Sequence, residues 1–257
     1  MADEILCDVA DGIATITLNR PEKRNAMNTP LLDGVRRRFD ELEDESEVRV
    51  VVVRGAGKAF CSGMDLDEMR RRQTAEADPE SGVTAVLQRV ERSRHPTIAM
   101  IHGDAYAGGC ELALHCDLRV AADVARFAMP LARIGLVVPF ALGQKLVEIV
   151  GPAAAREILL TGRPFDARRA LEMGMVHRVV DAAAVEDAAY EMARAIADNA
   201  PLSLAGMKAV IARAISARER IGHTDVDALV AGARKSADAR EGVRAMLEKR
   251  RPRFRGE

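Results

Sequence analysis

Residues 101–117 read IHGDAYAGGCELALHCD and place a carboxylate just after a glycine pair, at the start of a helical pattern. Gly108 and Gly109 let the backbone approach a ligand closely, and the first N–H groups of the following helix have no intrahelical acceptor. Such N–H groups can stabilise a developing oxyanion, and Glu111 can move a proton beside it. The helix dipole favours the ionised form of Glu111, whereas apolar neighbours raise its pKa, so the net direction stays open. The ordinary alternative is a loop-to-helix junction with a solvated acidic residue.

A second glycine turn lies within residues 55–69, which read GAGKAFCSGMDLDEM. A nearly continuous β-branched run at residues 48–53 precedes it and predicts a strand buried on both faces. A helix is predicted to start near Asp65, again with free N–H groups. The position of Lys58 does not fit the phosphate-loop pattern G-x-x-x-x-G-K-[ST]. Because an oxyanion hole needs two convergent donors, two such turns in one chain indicate more than either turn alone.

Periodic patterns around both turns predict an α/β fold. Residues 12–19 alternate as a half-buried strand does, after a hairpin turn at residues 11–12. Residues 30–43 have the apolar spacing of an amphipathic helix. Strands are predicted at residues 97–101 and 118–122. We therefore expect two parallel β-to-α units to bring their glycine turns together at the carboxyl ends of the strands, where ligands in α/β sheets usually bind.

Length and composition limit the function classes. With 257 residues the chain can bury one large core plus a small helical part. We divide it into a core of residues 1–200 and a helical region of residues 201–257. The net charge of −1 argues against a nucleic-acid partner. Because no stretch reaches membrane-spanning length and residues 1–4 lack a leader pattern, we expect no membrane partner and a cytoplasmic location. The four cysteines show no metal-ligand spacing, so we expect no metal site.

Three segments resemble, in order, the signature segments of the crotonase superfamily, the enoyl-CoA hydratase/isomerase family: residues 19–28 (NRPEKRNAMN), 57–69 and 103–117. Further matches at residues 160–163, 170–176 and 238–242 extend the resemblance over nearly the whole chain. It implies a crotonase-like spiral of β-β-α repeats with an α-helical C-terminal domain that serves oligomerisation. It also implies a homotrimer or a dimer of trimers, and an acyl-CoA thioester as substrate. No separate cofactor is expected, because coenzyme A is part of the substrate.

The resemblance also implies roles for individual residues. The thioester oxygen would lie between the backbone N–H groups of Met64 and Gly108, and Glu111 matches the first of the two catalytic glutamates of the hydratases. The residues expected along the CoA moiety are Arg24, Asn25, Ala26, Met64, Asp65, Leu66 and Gly108. From a neighbouring subunit, Phe254 or Lys249 is expected to reach the CoA.

One position departs from the hydratase pattern. The second glutamate of hydratases aligns with Leu131, which can neither donate nor accept a proton. Hydration needs one group to take a proton from water and another to deliver one to the α-carbon, so efficient hydration is in question. Three activities remain open. They are a hydratase-type lyase as in the family, a double-bond isomerase with Glu111 as its single base, and a weakly catalytic acyl-CoA binding protein.

Other polar and apolar residues offer further candidates. His115 lies four residues after Glu111, on the same helical face, and either pairs with it or is a packed histidine without a catalytic role. Tyr106, Asp104 and Arg133 are polar candidates that more often have structural roles. The apolar side chains of Phe140 and Leu142 are expected to narrow the acyl pocket. A serine hydrolase built on Ser62 is a remote reading, because no G-x-S-x-G elbow surrounds that residue.

Overall fold

The computed structural model describes residues 3–72, 79–215 and 222–256. The described residues form ten strands, and most of these are short. They are β1 (Ile5–Ala10), β2 (Ile13–Leu18), β3 (Val50–Gly55), β4 (Ala59–Cys61), β5 (Thr97–Ile101), β6 (Asp104–Tyr106), β7 (Leu118–Ala122), β8 (Arg126–Ala128), β9 (Phe165–Asp166) and β10 (Arg178–Val180).

Ten α-helices occur in the same described ranges. They are α1 (Thr29–Glu43), α2 (Leu66–Arg72), α3 (Pro79–Glu91), α4 (Gly108–His115), α5 (Phe140–Thr161), α6 (Ala167–Glu172), α7 (Val185–Ala197), α8 (Pro201–Ile215), α9 (Thr224–Lys235) and α10 (Ala237–Leu247). Helix α5 is interrupted at Gly151, whose φ of 72° is not helical, just before Pro152. None of the helices in the described parts of the chain combines the length and hydropathy needed to cross a bilayer.

The strands form two sheets that the chain visits in alternation. The larger sheet has the order β1-β2-β3-β5-β7-β10, and the smaller has the order β4-β6-β8-β9. Each of β3, β5 and β7 is followed along the chain by a strand of the smaller sheet, and the first two of these strand pairs lead into a helix, α2 and α4 respectively. The chain therefore advances in β-β-α units. This architecture confirms the α/β class and the spiral of repeats predicted from the sequence.

The central strand shows why the sequence folds in this way. Val50, Val51, Val52 and Val53 in β3 are fully buried, because Val50 and Val52 pack in one cluster with α7, and Val51 and Val53 pack in the main core with helices and the smaller sheet. β3 pairs in parallel with both β2 and β5. The β-branched run at residues 48–53 thus forms the doubly buried strand that its composition predicts.

The predicted amphipathic helix is α1. Its N-terminus is capped by Asn28, whose side-chain oxygen accepts a hydrogen bond from the Leu31 N–H at 2.9 Å. The apolar face that the spacing predicts is buried in the main core: Leu31, Leu32, Val35, Phe39 and Leu42. The hairpin turn at residues 11–12 is also confirmed, since β1 and β2 pair antiparallel across it.

The C-terminal region is helical, as predicted, and its last helix returns to the core. α10 packs on a 3-10 helix at Leu131–Ile134. A Cβ on Gly242 would lie 2.4 Å from the carbonyl carbon of Ile134, so only glycine permits this approach. α10 ends at Leu247. In contrast, α8 buries none of its residues.

Candidate active site

Two glycine turns meet at one place, as the sequence predicts. Met64 forms a parallel bridge with Met27, and this bridge anchors the glycine turn within residues 55–69. A Cβ built on Gly63 would lie 3.1 Å from the Gly108 nitrogen, so the two turns are in contact. Within residues 3–72, 79–215 and 222–256, neither the Met64 N–H nor the Gly108 N–H has a hydrogen-bond acceptor. Two free amide donors therefore lie side by side, as an oxyanion hole requires.

Tight packing explains the glycine pair. A Cβ on Gly109 would lie 2.1 Å from the carbonyl oxygen of Cys61, so α4 can start against β4 only with glycine at this position. Ala107, just before the pair, has a φ of 47° and a ψ of −118°, a conformation that is strained for a residue with a Cβ. Its N–H donates to the Ala128 carbonyl at 2.8 Å, and its carbonyl accepts from the Glu111 N–H at 3.0 Å. These bonds hold the strained turn in place.

Glu111 is buried, with 1% of its surface exposed. Neither of its carboxylate oxygens has a hydrogen-bond partner among the described residues. Burial raises the pKa of Glu111 from its ordinary value of 4.5 to about 8. The solvated-acid alternative is therefore wrong, and desolvation decides the direction that the sequence left open. An unpaired carboxyl with a pKa near neutrality suits general acid–base chemistry.

A cavity of about 490 Å³ opens in front of Glu111 and the two free amides. Its walls come from both glycine turns, the 3-10 helix, the start of α5 and the end of α10. The lining residues are Lys23, Arg24, Ala26, Ser62, Met64, Asp65, Leu66, Asp67, Met69, Val83, Tyr106, Ala107, Gly108, Glu111, Met129, Pro130, Leu131, Ile134, Leu136, Val138, Pro139, Leu142, Met246 and Leu247. Most of this wall is apolar, which is typical of a small-molecule site.

The described wall of the cavity contains three carboxylates: Glu111, Asp65 and Asp67. Leu131 lines the cavity where the resemblance places the second acid of the hydratases, so no carboxylate stands there. Asp65 receives hydrogen bonds from both terminal nitrogens of Arg20, each at 3.2 Å. Although burial alone would raise the pKa of Asp65, these bonds and the backbone N–H groups at the start of α2 lower it overall. The pKa values of Glu111 and Asp65 are thus shifted in opposite directions within one wall.

The structure separates the predicted CoA-contact residues into two groups. Arg24, Ala26 and Leu66 line the cavity with Met64, Asp65 and Gly108. Asn25 does not line it, because its side chain is fully buried and turned into the core. Its amide nitrogen donates to the carbonyls of Ala56, Ala59 and Phe60, and its side-chain oxygen accepts from the Arg20 N–H. The predicted substrate contact is therefore wrong for the Asn25 side chain, which instead ties the two segments together.

His115 does not contact the Glu111 carboxylate. Its Nδ1 lies 2.8 Å from the Glu111 backbone oxygen, and its Nε2 faces Glu91 at 4.0 Å. Burial lowers the pKa of His115, which favours the neutral ring. The packed-histidine alternative is confirmed, and pairing with the carboxylate is wrong.

The remaining candidates divide between the cavity and other parts of the fold. Tyr106 and Leu142 line the cavity, whereas Asp104 and Arg133 do not. Phe140 stacks on the His223 ring, with centroids 4.3 Å apart, so its predicted role in the acyl pocket is wrong. Ser62 lines the cavity, but no histidine of the described residues does, so the serine–histidine pair of a serine hydrolase is missing there, and the Ser62 hydroxyl donates to the Lys23 carbonyl at 3.4 Å. In the described ranges, no three His, Cys, Asp or Glu side chains come together as a metal site.

Sequence reasoning missed part of the cavity wall. Met246 and Leu247 lie more than 130 residues after Glu111 and reach the cavity through the packing of α10 on the 3-10 helix. Gly242 was the available signal, since a glycine inside a helical pattern often marks close packing.

Comparison with known proteins agrees with this geometry. The sequence matches the enoyl-CoA hydratase/isomerase family over residues 8–257. A short-chain-enoyl-CoA hydratase of Clostridium acetobutylicum is 31% identical over an alignment of 259 residues, and the alignment covers 97% of this chain and 96% of that protein. A solved structure of an enoyl-CoA hydratase/isomerase from Xanthobacter autotrophicus Py2 is 33% identical, with a TM-score of 0.84 and 100% of both chains covered. A methylmalonyl-CoA decarboxylase complexed with 2S-carboxypropyl CoA has a TM-score of 0.91 at 25% identity, also over 100% of both chains. With matches over nearly its whole length, a crotonase fold and a buried acid beside two free amides, the chain is an enzyme of the enoyl-CoA hydratase/isomerase family.

Proposed function

We propose that this enzyme binds acyl-CoA thioesters and catalyses hydratase-type chemistry through an enolate, with Glu111 as its one proton-transferring group. The observation that carries the proposal is the unpaired, buried carboxyl of Glu111 beside the free N–H groups of Met64 and Gly108. The two amides would donate hydrogen bonds to the thioester oxygen as it gains negative charge. One such donor is worth about 10²–10³ in rate in other enzymes.

In this proposal one carboxyl group carries both proton transfers of a balanced addition of water, in place of the two groups of the hydratase pattern. Ionised Glu111 takes a proton from a water molecule while the water oxygen bonds to the β-carbon and the double-bond electrons move to the thioester oxygen. Glu111, now protonated, returns that proton to the α-carbon as the enolate collapses. Dehydration is the reverse. A pKa of about 8 suits this cycle, because the group can both take and release a proton near neutral pH.

The polar end of the cavity supports CoA binding. Lys23 and Arg24 line it and are exposed at its mouth, where cationic side chains can meet phosphates. Arg24 has a φ of 51°, which turns the backbone sharply after the 3-10 helix Pro21–Lys23. This turn directs the chain back to Met27 and so to the bridge with Met64.

A double-bond isomerase is the second candidate, and Leu131 is the observation that favours it. In this reaction Glu111 takes a proton from the γ-carbon of a 3-enoyl thioester and returns it to the α-carbon, so the double bond moves into conjugation. No water takes part, and an apolar side chain at position 131 suits a reaction from which water is excluded.

In the deciding experiment, the enzyme is incubated with a trans-2-enoyl-CoA and, separately, with a 3-enoyl-CoA. The absorbance of the conjugated thioester is followed, and the masses of the products are determined. Loss of conjugation with the mass of one water added supports the hydratase. Gain of conjugation without mass change supports the isomerase. Silence with both substrates, together with intact binding, would contradict both and leave the acyl-CoA binding protein.

We also propose that the enzyme self-associates, as a trimer or a dimer of trimers, through its C-terminal helices. Four large apolar side chains of α8 are 63% to 84% exposed: Leu202, Met207, Val210 and Ile211. An apolar face of this kind is typical of an interface. Light scattering on the wild-type protein and on a Val210→Asp variant tests this, with a smaller particle expected for the variant. Phe254 or Lys249 reaching a neighbouring subunit's CoA, and a cytoplasmic location, remain part of this proposal.

A further inference from the structure

The cavity has two chemically different ends. Apart from Glu111, its charged side chains, Lys23, Arg24, Asp65 and Asp67, all come from two adjacent segments, which are joined where the Ser62 N–H donates to the Arg24 carbonyl at 3.1 Å. Lys23, Arg24 and Asp67 are exposed at this end, whereas Asp65 is buried. The described wall contributed by the 3-10 helix, the start of α5 and the end of α10 carries no charged side chain and no side chain that donates a hydrogen bond.

The apolar end is a built part of the fold. Leu131 packs both on the main core and on a small cluster formed by Ile134, Leu136 and Ala239. Val138 packs on the main core, and Met246 adds the end of α10. The apolar end of the cavity therefore lies beside two hydrophobic clusters, and the contact of α10 with the 3-10 helix brings Met246 into its wall.

The size of this space limits the acyl group. The cavity of about 490 Å³ receives the thioester and the adjoining part of CoA at its charged end, and the acyl group at its apolar end. Three segments line the apolar end, the 3-10 helix, the start of α5 and the end of α10, and a four-carbon acyl group, about the size of one leucine side chain, leaves part of this wall uncovered. Each further methylene removes apolar surface from water and strengthens binding.

On the basis of the proposed acyl-CoA function, we propose that the substrate carries an uncharged hydrocarbon acyl group of six or more carbons, bound between Leu131, Val138 and Met246. A hydroxyl or carboxylate far along the acyl chain would lose its hydration without gaining a partner from this wall. Such an unpaired polar group weakens binding by roughly tenfold or more.

Binding of saturated acyl-CoA esters tests the proposal without requiring turnover. Titration calorimetry with butyryl-, hexanoyl- and octanoyl-CoA should give affinities that rise about fourfold per methylene, the ratio equivalent to about 0.8 kcal/mol for a buried CH₂. Succinyl-CoA should bind at least tenfold more weakly than butyryl-CoA, which has the same number of acyl carbons. Equal affinity for butyryl- and octanoyl-CoA, or tighter binding of succinyl-CoA, would overturn the proposal. Because binding of these esters does not require turnover, the affinities can be interpreted even if the proposed enolate chemistry is wrong.

Two adjacent valines provide a matched pair of variants. Val138 lines the cavity, whereas Val137 is 39% exposed and does not. Val138→Phe should weaken octanoyl-CoA at least tenfold and butyryl-CoA by less than twofold, because the added ring fills the far part of the space. Val137→Phe adds the same volume outside and should change neither affinity. Equal losses for both esters in Val138→Phe would contradict the location of the acyl group. The wild-type series decides the chain-length question even if Val138→Phe does not fold.

Discussion

Two carboxylates near the N-termini of two helices line the same cavity, and their pKa values move in opposite directions. Asp65 precedes α2 and is paired with Arg20, so its pKa is lowered in spite of burial. Glu111 lies in the first turn of α4 without any partner among the described residues, and burial raises its pKa to about 8. Position at a helix N-terminus is common to both, so the pairing and not the helix decides the protonation state.

Within one site, Asp65 therefore has a structural role, whereas Glu111 has the chemical one. Asp65, whose pKa is lowered, caps α2, with its Oδ1 accepting from the N–H groups of Asp67 and Glu68 at 3.1 and 3.4 Å. A carboxylate already satisfied in this way is a poor base. Glu111 has nothing to stabilise its charge until a substrate arrives, and such a group is ready to exchange a proton.

The largest effect is expected on the rate. Glu111→Gln retains the shape of the side chain but removes the base, so kcat should fall by about 10²–10⁴ while acyl-CoA affinity stays within a fewfold. Asp65→Asn is the matched control, because it changes a carboxylate of the same cavity that takes no part in the proton transfer. Steady-state kinetics and calorimetry on both variants measure this contrast. A wild-type kcat in Glu111→Gln would remove Glu111 from the mechanism.

The second effect is the pH dependence of stability. Between the ordinary pKa of 4.5 and the folded value of about 8, folded Glu111 holds a proton that the unfolded chain has lost. The free energy of unfolding contributed by this group therefore falls as pH rises through that interval and is constant above it. The free energy of unfolding of Glu111→Gln should therefore rise relative to that of the wild type as pH rises through this range. The expected gain is a few kcal/mol, which is the energy equivalent of the difference between the two pKa values. Urea unfolding at pH 5 and pH 8.5 measures it. A difference independent of pH would contradict the raised pKa.

Asp65→Asn should give a smaller change of opposite sign. Because the folded pKa of Asp65 is lowered, its contribution is fully present above the ordinary Asp range and is lost as pH falls through the folded value. The side chains of Asp65 and Arg20 are only 11% and 12% exposed, so the pair is largely shielded from solvent. We expect the variant to lose about 1–2 kcal/mol at pH 7 and less at pH 3. Thermal unfolding at the two pH values is sufficient, and a loss that grows toward low pH would contradict the assignment.

The smallest effect compares the two turns themselves. The residue before each free amide has a positive φ, 91° at Gly63 and 47° at Ala107. Glycine tolerates this conformation, whereas alanine is strained. Ala107→Gly should therefore relieve strain of about 1 kcal/mol, partly offset by the greater entropy of the unfolded chain, and lower kcat severalfold because the Gly108 amide is held less firmly. Calorimetric unfolding and kinetics measure the two effects. Unchanged kcat would show that the strain does not orient the amide.

Much of the scaffold follows from local patterns. The valine run, the amphipathic spacing of α1 and the two glycine turns were predictable because a strand, a helix and a tight turn each leave a signal within a few residues. The protonation of Glu111 was not predictable, because its burial depends on how segments distant in the sequence pack together, which no local pattern reports.

The errors at individual residues have the same origin. The inward turn of Asn25 depends on three carbonyls about thirty residues away along the chain, and Phe140 leaves the pocket to stack on His223. No periodicity encodes such contacts, because each is made between segments that only the complete fold brings together.

The isolation of the Glu111 carboxyl has a stereochemical consequence. A proton taken by this group has no hydrogen-bonded neighbour in the described structure to which it can pass. In hydration, the hydrogen placed on the α-carbon and the oxygen placed on the β-carbon would then come from one water molecule and add to the same face of the double bond. In a double-bond shift, a deuterium removed from one carbon would be delivered to the other and remain in the product. A deuterium label on the transferred proton would thus be kept in the product and would not exchange with the solvent.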